Sequence, residues 1–210
     1  MGRYCKNILL LLLLCSCKLG YSQASFIVSQ FIPNGDLGPK LKKSVSYQLT
    51  FNKYSEDELW EYRFEFLYTS FKPRKDTFDT WIAEVTGSHA VLYPGVEVIR
   101  SSSMAYFSGV FNRKLISVGD ASLYVGLGLY FGLAQYHYYR DIPLIRTDND
   151  NGMDFCLGLK SDAGIKYKIT PNFTAFFESA FLPSTSPGNG THYTHFTNGL
   201  GITYFLFPDD

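Results

Sequence analysis

Hydrophobic residues occupy every second position over long stretches of this chain. In the segment SLYVGLGLYFGLAQYHYY, each odd position from Leu123 to Leu133 carries an aliphatic residue or Phe, and each even position carries Tyr or Gly. A period of two predicts a β-strand, because successive side chains of a strand point to opposite faces. The pattern also persists well beyond the roughly five or six residues that are usual for strands of soluble domains.

The same alternation recurs in further segments that are separated by turn residues. These segments cover residues 45–51, 60–69, 81–99, 104–118, 155–169, 173–181 and 191–207, of which 81–99 is the least regular. After residue 24 no segment keeps a helical period of about 3.6 residues. The chain is therefore predicted to be all-β, with eight strands. Residues 25–34 (SFIVSQFIPN) could add a further strand, so ten strands is the alternative.

The links between the predicted strands alternate in length toward the C-terminus. Gly119-Asp120 and Thr170-Pro171-Asn172 are short turns, whereas the links Arg140–Gly152 and Pro183–Gly190 are longer and rich in Asp, Asn, Pro, Ser and Gly. Short periplasmic turns and longer external loops are typical of bacterial outer-membrane barrels.

The two faces of these strands distinguish a membrane barrel from a soluble sandwich. The apolar face carries Trp, Tyr and Phe near segment ends, as at a bilayer interface, and the other face alternates Gly with Tyr and charged residues. A closed barrel also leaves no unpaired strand edge in lipid. Residues 43–210 are therefore predicted to form an antiparallel up-and-down transmembrane β-barrel. A soluble, lipocalin-like exported binder is the alternative.

The N-terminus has the features of an export signal. Arg3 and Lys6 precede the apolar run at residues 8–14, and Ser22-Gln23-Ala24 supplies small residues for cleavage after Ala24. The alternative is a lipoprotein signal ending at Cys17. Residues 1–24 are thus predicted to be a signal peptide, and residues 25–42 a periplasmic segment or an extra strand.

Removing residues 1–24 leaves a mildly acidic chain, because Arg3, Lys6 and Lys18 leave with them and 16 basic residues then face 19 acidic ones. Cys156 is the only cysteine that remains, so no internal disulfide is expected. No nucleic-acid partner is expected either, since such binding requires a clustered basic face.

The chain resembles the small outer-membrane β-barrel proteins of Bacteroidetes, which are similar to eight-stranded porin-like barrels. The resemblance rests on the leader ending YSQA, the strand YVGLGLYFGL, the hairpin GIKYKITPNFTAFFESAF and the final GLGITYFLF. It implies residence in the bacterial outer membrane, with outer-membrane lipids or lipopolysaccharide and the barrel assembly machinery as partners. The last strands also resemble barrels carried by conjugative transposons.

His192 and His195 are the residues that most resemble a catalytic group. Outer-membrane lipid A deacylases use His, a Ser two residues later and an acid, and here Thr197 stands in the Ser position with Glu178 as a neighbouring acid. The favoured interpretation places both His residues near the outer rim as interfacial polar groups.

Two further features resemble sites of metal binding or reactivity. The run DNDNGMD, Asp148–Asp154, resembles a calcium-binding loop, but Gly152 falls where an oxygen ligand should be and no Glu closes the loop. It is interpreted as an exposed turn. Cys156 is interpreted as a passive, inward-facing residue, because a reactive thiol requires exposure and a cationic neighbour.

Five charged residues lie on the predicted inward face of the strands: Arg63, Glu65, Lys160, Asp162 and Glu178. Buried charges are tolerated when they are paired, so these residues are expected to form a lumen network that plugs an eight-stranded barrel.

No catalytic residue, cofactor or metal site is assigned from the sequence. The expected function is non-enzymatic: a structural or interaction role in the outer membrane, with an extracellular protein or glycan bound by the loops Arg140–Gly152 and Pro183–Gly190. The alternatives are a lipid A deacylase-like hydrolase using His195, a small-solute channel and a conjugative-transposon barrel.

Overall fold

The computed structural model describes residues 23–36, 38–75, 77–86, 89–142, 146–186 and 192–205. Its strands are β1 (Gln23–Gly35), β2 (Ser44–Tyr54), β3 (Trp60–Phe71), β4 (Phe78–Thr86), β5 (His89–Val118), β6 (Ala121–Ile142), β7 (Arg146–Thr170), β8 (Phe173–Leu182), β9 (Ser184–Thr185) and β10 (Tyr193–Phe205). The predicted signal peptide lies outside these residues except for Gln23 and Ala24, which begin β1. Cleavage after Ala24 would therefore shorten β1 by two residues.

Eight of these strands close into an antiparallel ring in the order β1-β2-β3-β5-β6-β7-β8-β10. The ring closes because β3 pairs with β5 over its whole length, and β10 pairs with β1 from Gln23↔Phe205 to Gly35↔Tyr193. Closure removes the strand edges that would otherwise leave unpaired backbone groups in lipid. The predicted eight-stranded antiparallel barrel is confirmed.

The period-two pattern sorts side chains between the outside and the lumen. Along β8, for example, Phe173, Phe177 and Phe181 are exposed, whereas Phe176, Glu178 and Ala180 between them are buried. The exposed apolar side chains of β1, β2, β6, β7 and β10 include Phe26, Tyr47, Leu127, Leu129, Leu159, Leu200 and Ile202. The aliphatic face of β6 therefore lies on the outer surface, and its Gly/Tyr face lines the lumen.

The ring contains a different set of segments from the one the sequence favours. Residues 25–34, offered only as an additional strand, belong to β1 and pair with strands on both sides. The predicted strand 81–99 is instead divided between β4 and the first part of β5, which pair with each other, and among the described residues β4 pairs with β5 alone. This irregular segment offers no continuous alternation of the kind that β1 supplies.

One end of the barrel is the periplasmic end. Gln23 and Phe205, the two ends of the described chain, pair there, together with the short turns at residues 55–59, 119–120 and 171–172. Short turns face the periplasm in barrels of this kind. The described residues of the links between β1 and β2, between β3 and β4, and between β8 and β10 therefore lie at the extracellular end.

Three ring strands continue past the barrel at the extracellular end. Where β3 ends, Phe71 pairs with Ser102, but β5 extends back to His89. There β5 pairs with β4 and β6, and β6 pairs with β7 up to Ile142↔Arg146. Residues 78–86, 89–101, 137–142 and 146–151 thus form a four-stranded unit, here called the extracellular sheet.

The extracellular sheet corrects the predicted loop at Arg140–Gly152. Apart from residues 143–145, which lie outside the described chain, this stretch is the paired ends of β6 and β7, with Arg140 opposite Asp148. Its Asp and Asn residues favour turns locally, but the hydrogen-bonded neighbour strand outweighs that preference. Of the other predicted loop, Pro183–Gly190, the structure describes residues 183–186, where β9 pairs with β7.

Candidate functional site

The lumen has a polar layer toward the periplasm and an aromatic layer toward the extracellular end. The polar layer is centred on Arg63 of β3, whose guanidinium lies 2.5 Å from Asp162, 2.5 Å from Glu178 and 2.8 Å from Glu65. The four side chains come from β3, β7 and β8, and each is at most 4% exposed. This is a buried ionic network across the inside of the ring.

Lys160 is the second cation of the network. Its Nζ lies 2.7 Å from Glu65, 3.1 Å from Glu178 and 3.5 Å from Asp162. Tyr124 donates a hydrogen bond to Glu178 over 2.9 Å. The prediction that these five charged residues point inward and pair with one another is confirmed.

The three network carboxylates, Glu65, Asp162 and Glu178, lie close enough together to resemble a metal site. Each of them, however, contacts both Arg63 and Lys160. Two protein cations therefore supply the counter-charge that a metal ion would bring. The arrangement is built for ion pairing, and it fills the lumen at this level.

A second ion pair lies nearer the periplasmic mouth. Lys166 of β7 contacts Glu61 of β3 at 2.6 Å and lies 3.0 Å from the Tyr54 hydroxyl. Asn112 donates a hydrogen bond to Glu61 over 3.0 Å. The side-chain oxygen Oδ1 of Asn112 and Oδ1 of Asp162 both lie at the inner face of Gly126, where a Cβ would approach them to 1.9 and 2.1 Å. Glycine at this position of β6 leaves space for the network.

Aromatic side chains fill the lumen above the ionic network. Phe31 packs against Phe71 and His195, with ring centroids 5.1 and 4.5 Å apart, and Tyr106 packs against Tyr130 at 5.3 Å. Leu41, from the link between β1 and β2, is buried in the same cluster. The link thus covers the extracellular mouth of the lumen.

The predicted rim position of His195 is wrong. The side chain is 1% exposed and lies within the aromatic cluster. Its Nε2 has no hydrogen-bond partner among the described residues. Glu178 is committed to Arg63, Lys160 and Tyr124, and it pairs in register with Gly199, four residues from His195. The structure therefore does not bring His195 and Glu178 together as a catalytic pair. His192, by contrast, is exposed.

The structure also shows where the run Asp148–Asp154 and Cys156 lie. Asp148–Asp154 lies in β7 and pairs with β6, so its backbone is extended and does not form the exposed turn that the sequence favours. Cys156 is fully buried, and its Sγ lies 2.8 Å from the point where a Cβ on Gly132 would stand. This agrees with the interpretation of Cys156 as an inward-facing packing residue.

A cluster of basic residues at the extracellular mouth is not predicted from the sequence. The links after β1 and after β3 are hydrogen-bonded to each other, with Lys42 N donating to Lys72 O (2.9 Å) and Arg74 N donating to Lys40 O (2.8 Å). Six basic residues, here called the basic rim, come together on these links: Lys40, Lys42, Lys43, Lys72, Arg74 and Lys75. The signal in the sequence was the pair of short runs KLKK and KPRK.

A closed antiparallel ring with an apolar outer surface and an ion-paired interior is an integral membrane β-barrel. The chain belongs to this class of protein and resides in the bacterial outer membrane.

Several solved structures are similar to this chain. The crystal structure of Neisserial surface protein A is similar over 87% of this chain and 96% of that chain, with a TM-score of 0.57 and 13% identity. Ail of Yersinia pestis, in complex with the heparin analogue sucrose octasulfate, matches over 87% and 98% with a TM-score of 0.47 and 17% identity. The N-terminal β-barrel domain of Pseudomonas aeruginosa OprF matches over 87% and 96%, with 0.40 and 12%.

At 13% identity, the likeness to Neisserial surface protein A supports the fold and transfers no function. No protein-family model matches the chain, and no curated protein matches it.

Proposed function

We propose that the protein is a non-enzymatic outer-membrane anchor that holds the extracellular sheet for binding an extracellular protein or glycan. The observation that carries this proposal is the continuation of β5, β6 and β7 beyond the ring. The 13 residues of β5 in the extracellular sheet correspond to roughly 40 Å of extended chain. Such a projection serves no purpose in spanning the membrane, which requires only about 9 to 11 residues per strand.

The edges of the extracellular sheet support a binding role. β4 pairs only with β5, and residues 146–151 of β7 pair only with β6 among the described residues. Edge strands present unpaired N–H and C=O groups, which extended peptides use when they add a strand to a sheet. On β5, Val91 and Leu92 are both exposed, so each face of this strand offers an apolar side chain to a partner.

The lumen supports the non-enzymatic, non-conducting part of the proposal. An eight-stranded barrel has an interior just wide enough for side chains. Here Arg63 and Lys160 fill one level, and Phe31, Tyr106 and His195 fill the next. We further infer an origin in Bacteroidetes from the leader ending YSQA and the strand YVGLGLYFGL.

The test is site-specific photo-crosslinking on living cells. A photoreactive amino acid at Leu92, which is 61% exposed in the extracellular sheet, is expected to form an adduct with a protein or polysaccharide. The matched control is Leu129, which is 69% exposed on the outer face of the ring and should form adducts with lipid alone. Adducts with lipid alone at both positions, from a protein that still shows the heat-modifiable band of a folded barrel, would refute the binding role.

A further inference from the structure

The basic rim lies directly above the apolar outer surface of the barrel. Along β2 the outward positions run from Val45, which is exposed and apolar, to Lys43 two residues nearer the extracellular end. Along β3 they run from Tyr68 through Ser70 to Lys72. At about 3.3 Å per residue, Lys43 stands about 7 Å and Lys72 about 13 Å further along the strand than the last apolar side chain. Both ammonium groups are therefore at the level of outer-leaflet headgroups.

The links that carry the basic rim are held in place. Besides the two backbone hydrogen bonds between them, Arg74 Nε donates to Leu41 O over 2.7 Å, and Leu41 itself is buried in the lumen core. A fixed arrangement of cations loses less entropy on binding an anion than flexible side chains on free loops do. Asp36, an acidic residue at the start of the link after β1, accepts a hydrogen bond from His192 N at 2.8 Å. Asp79 lies beyond the cluster, exposed at the start of β4.

An outward-facing groove continues from the basic rim toward the membrane. It has a volume of about 320 Å³ and is lined by Val28, Ser29, Gln30, Lys43, Ser44 and Val45. Lys43 stands at its extracellular end, and Val28 and Val45 form its apolar walls. A cation above an apolar groove matches a ligand that has a phosphate headgroup and an acyl chain.

We infer that the basic rim and this groove bind a phosphorylated glycolipid of the outer leaflet, the lipid A part of lipopolysaccharide. Its phosphates lie against Lys43 and Lys72, and one acyl chain lies between Val28 and Val45. Lys and Arg are the residues that recognise phosphate, and clusters of them beside a membrane bind anionic lipid. A soluble polyanion would pair with the basic residues, but it has no acyl chain to occupy the groove. The inference is independent of the extracellular sheet and its partner.

The test is a titration of the full-length barrel, in detergent micelles, with purified diphosphoryl lipid A. Bound glycolipid per barrel is counted by native mass spectrometry. The double variant Lys43→Gln/Lys72→Gln is expected to bind about 30-fold more weakly, since each lysine near an anionic lipid surface contributes about fivefold. The matched control, Lys53→Gln/Lys168→Gln, removes the same charge from exposed positions at the periplasmic end and is expected to bind like the parent protein.

Four outcomes would overturn the inference. The first is equal lipid A binding by the Lys43/Lys72 variant and the parent protein, and the second is an equal loss in the control variant. The third is a parent protein that binds dephosphorylated lipid A as tightly as the phosphorylated form, and the fourth is a parent protein that binds heparin but not lipid A. All variants must show the same heat-modifiable band, so that a folding defect is not mistaken for a binding defect. No extracellular partner is present in this assay. A negative result would therefore not bear on the proposed binding role of the extracellular sheet.

Discussion

Replacing Arg63 is expected to destabilise the barrel more than replacing any surface cation. The Arg63→Met change keeps much of the side-chain volume but removes the charge that contacts all three network carboxylates at 2.5 to 2.8 Å. With Arg63 and Lys160 present, the five-residue network carries a net charge of −1 when all its members are ionised. Without Arg63 it carries −2, in a site where the side chains are at most 4% exposed.

The expected magnitude is a loss of about 3–5 kcal/mol in the free energy of unfolding, the usual cost of removing one partner from a buried ion pair. Lys114→Met provides the comparison. Lys114 is 31% exposed and lies 3.7 Å from Glu58, which is 77% exposed. Pairs of this kind contribute about 0–1 kcal/mol because water and salt screen them.

The assay is guanidinium unfolding of the barrel in phospholipid vesicles, followed by the fraction that runs as the folded band on an unboiled gel. A second variant, Arg63→Met/Glu178→Gln, returns the net charge of the network to −1. It should therefore be more stable than Arg63→Met alone. The reasoning is refuted if Arg63→Met unfolds within 1 kcal/mol of the parent protein, or if the double variant loses the full sum of the two single losses.

Three other predictions concern single positions. Gly126→Ala should lower the unfolding free energy by about 1–3 kcal/mol through overpacking, because its Cβ would collide with Asn112 and Asp162, whereas Gly109→Ala, with open space around it, should be neutral in the same unfolding assay. Cys156 is buried, so maleimide should label it only after boiling in detergent, and labelling of the folded band would contradict its position. In the periplasmic turn, hydrogen bonds to the Asp57 carboxylate, first from the Ser55 hydroxyl and then from a backbone N–H, lower the pKa of this group. This support is present above the pKa of an unfolded Asp and is lost as pH falls through the lower folded value. The protection factors of the turn amides, which correct the exchange rates for the intrinsic effect of pH, should therefore fall in that acidic range and should not change there in Asp57→Asn.

Two errors of sequence interpretation share one physical origin. From local composition, the sequence predicts a ring strand at residues 81–99 and a loop at Arg140–Gly152. In the structure the described residues of the first belong to two paired strands, β4 and β5, and those of the second are paired strand. Strand formation depends on which neighbour supplies hydrogen bonds, and that neighbour is distant along the chain.

The position of His195 could not be derived from its own segment either. The alternation correctly assigns His195 to one face of β10. How far His195 lies from the membrane surface depends on where the ring closes. Phe31 and Tyr106, which bury it, come from β1 and β5. The buried aromatic environment of His195 is therefore a property of the assembled lumen, and no motif around THYTHF predicts it.

The sequence by itself determined three things: that the chain forms β-strands, that one face of these strands meets the lipid of the outer membrane, and that the charged residues point inward. These follow from a period of two, which sorts side chains between two faces wherever a strand forms. Only the tertiary structure decided which eight segments close the ring, which charges meet and where the basic residues gather. Arg63 and Glu178 are 115 residues apart, and the runs KLKK and KPRK lie on different links. They come together because ring closure sets the register of every strand at once, and register is a property of pairs of strands rather than of any one segment.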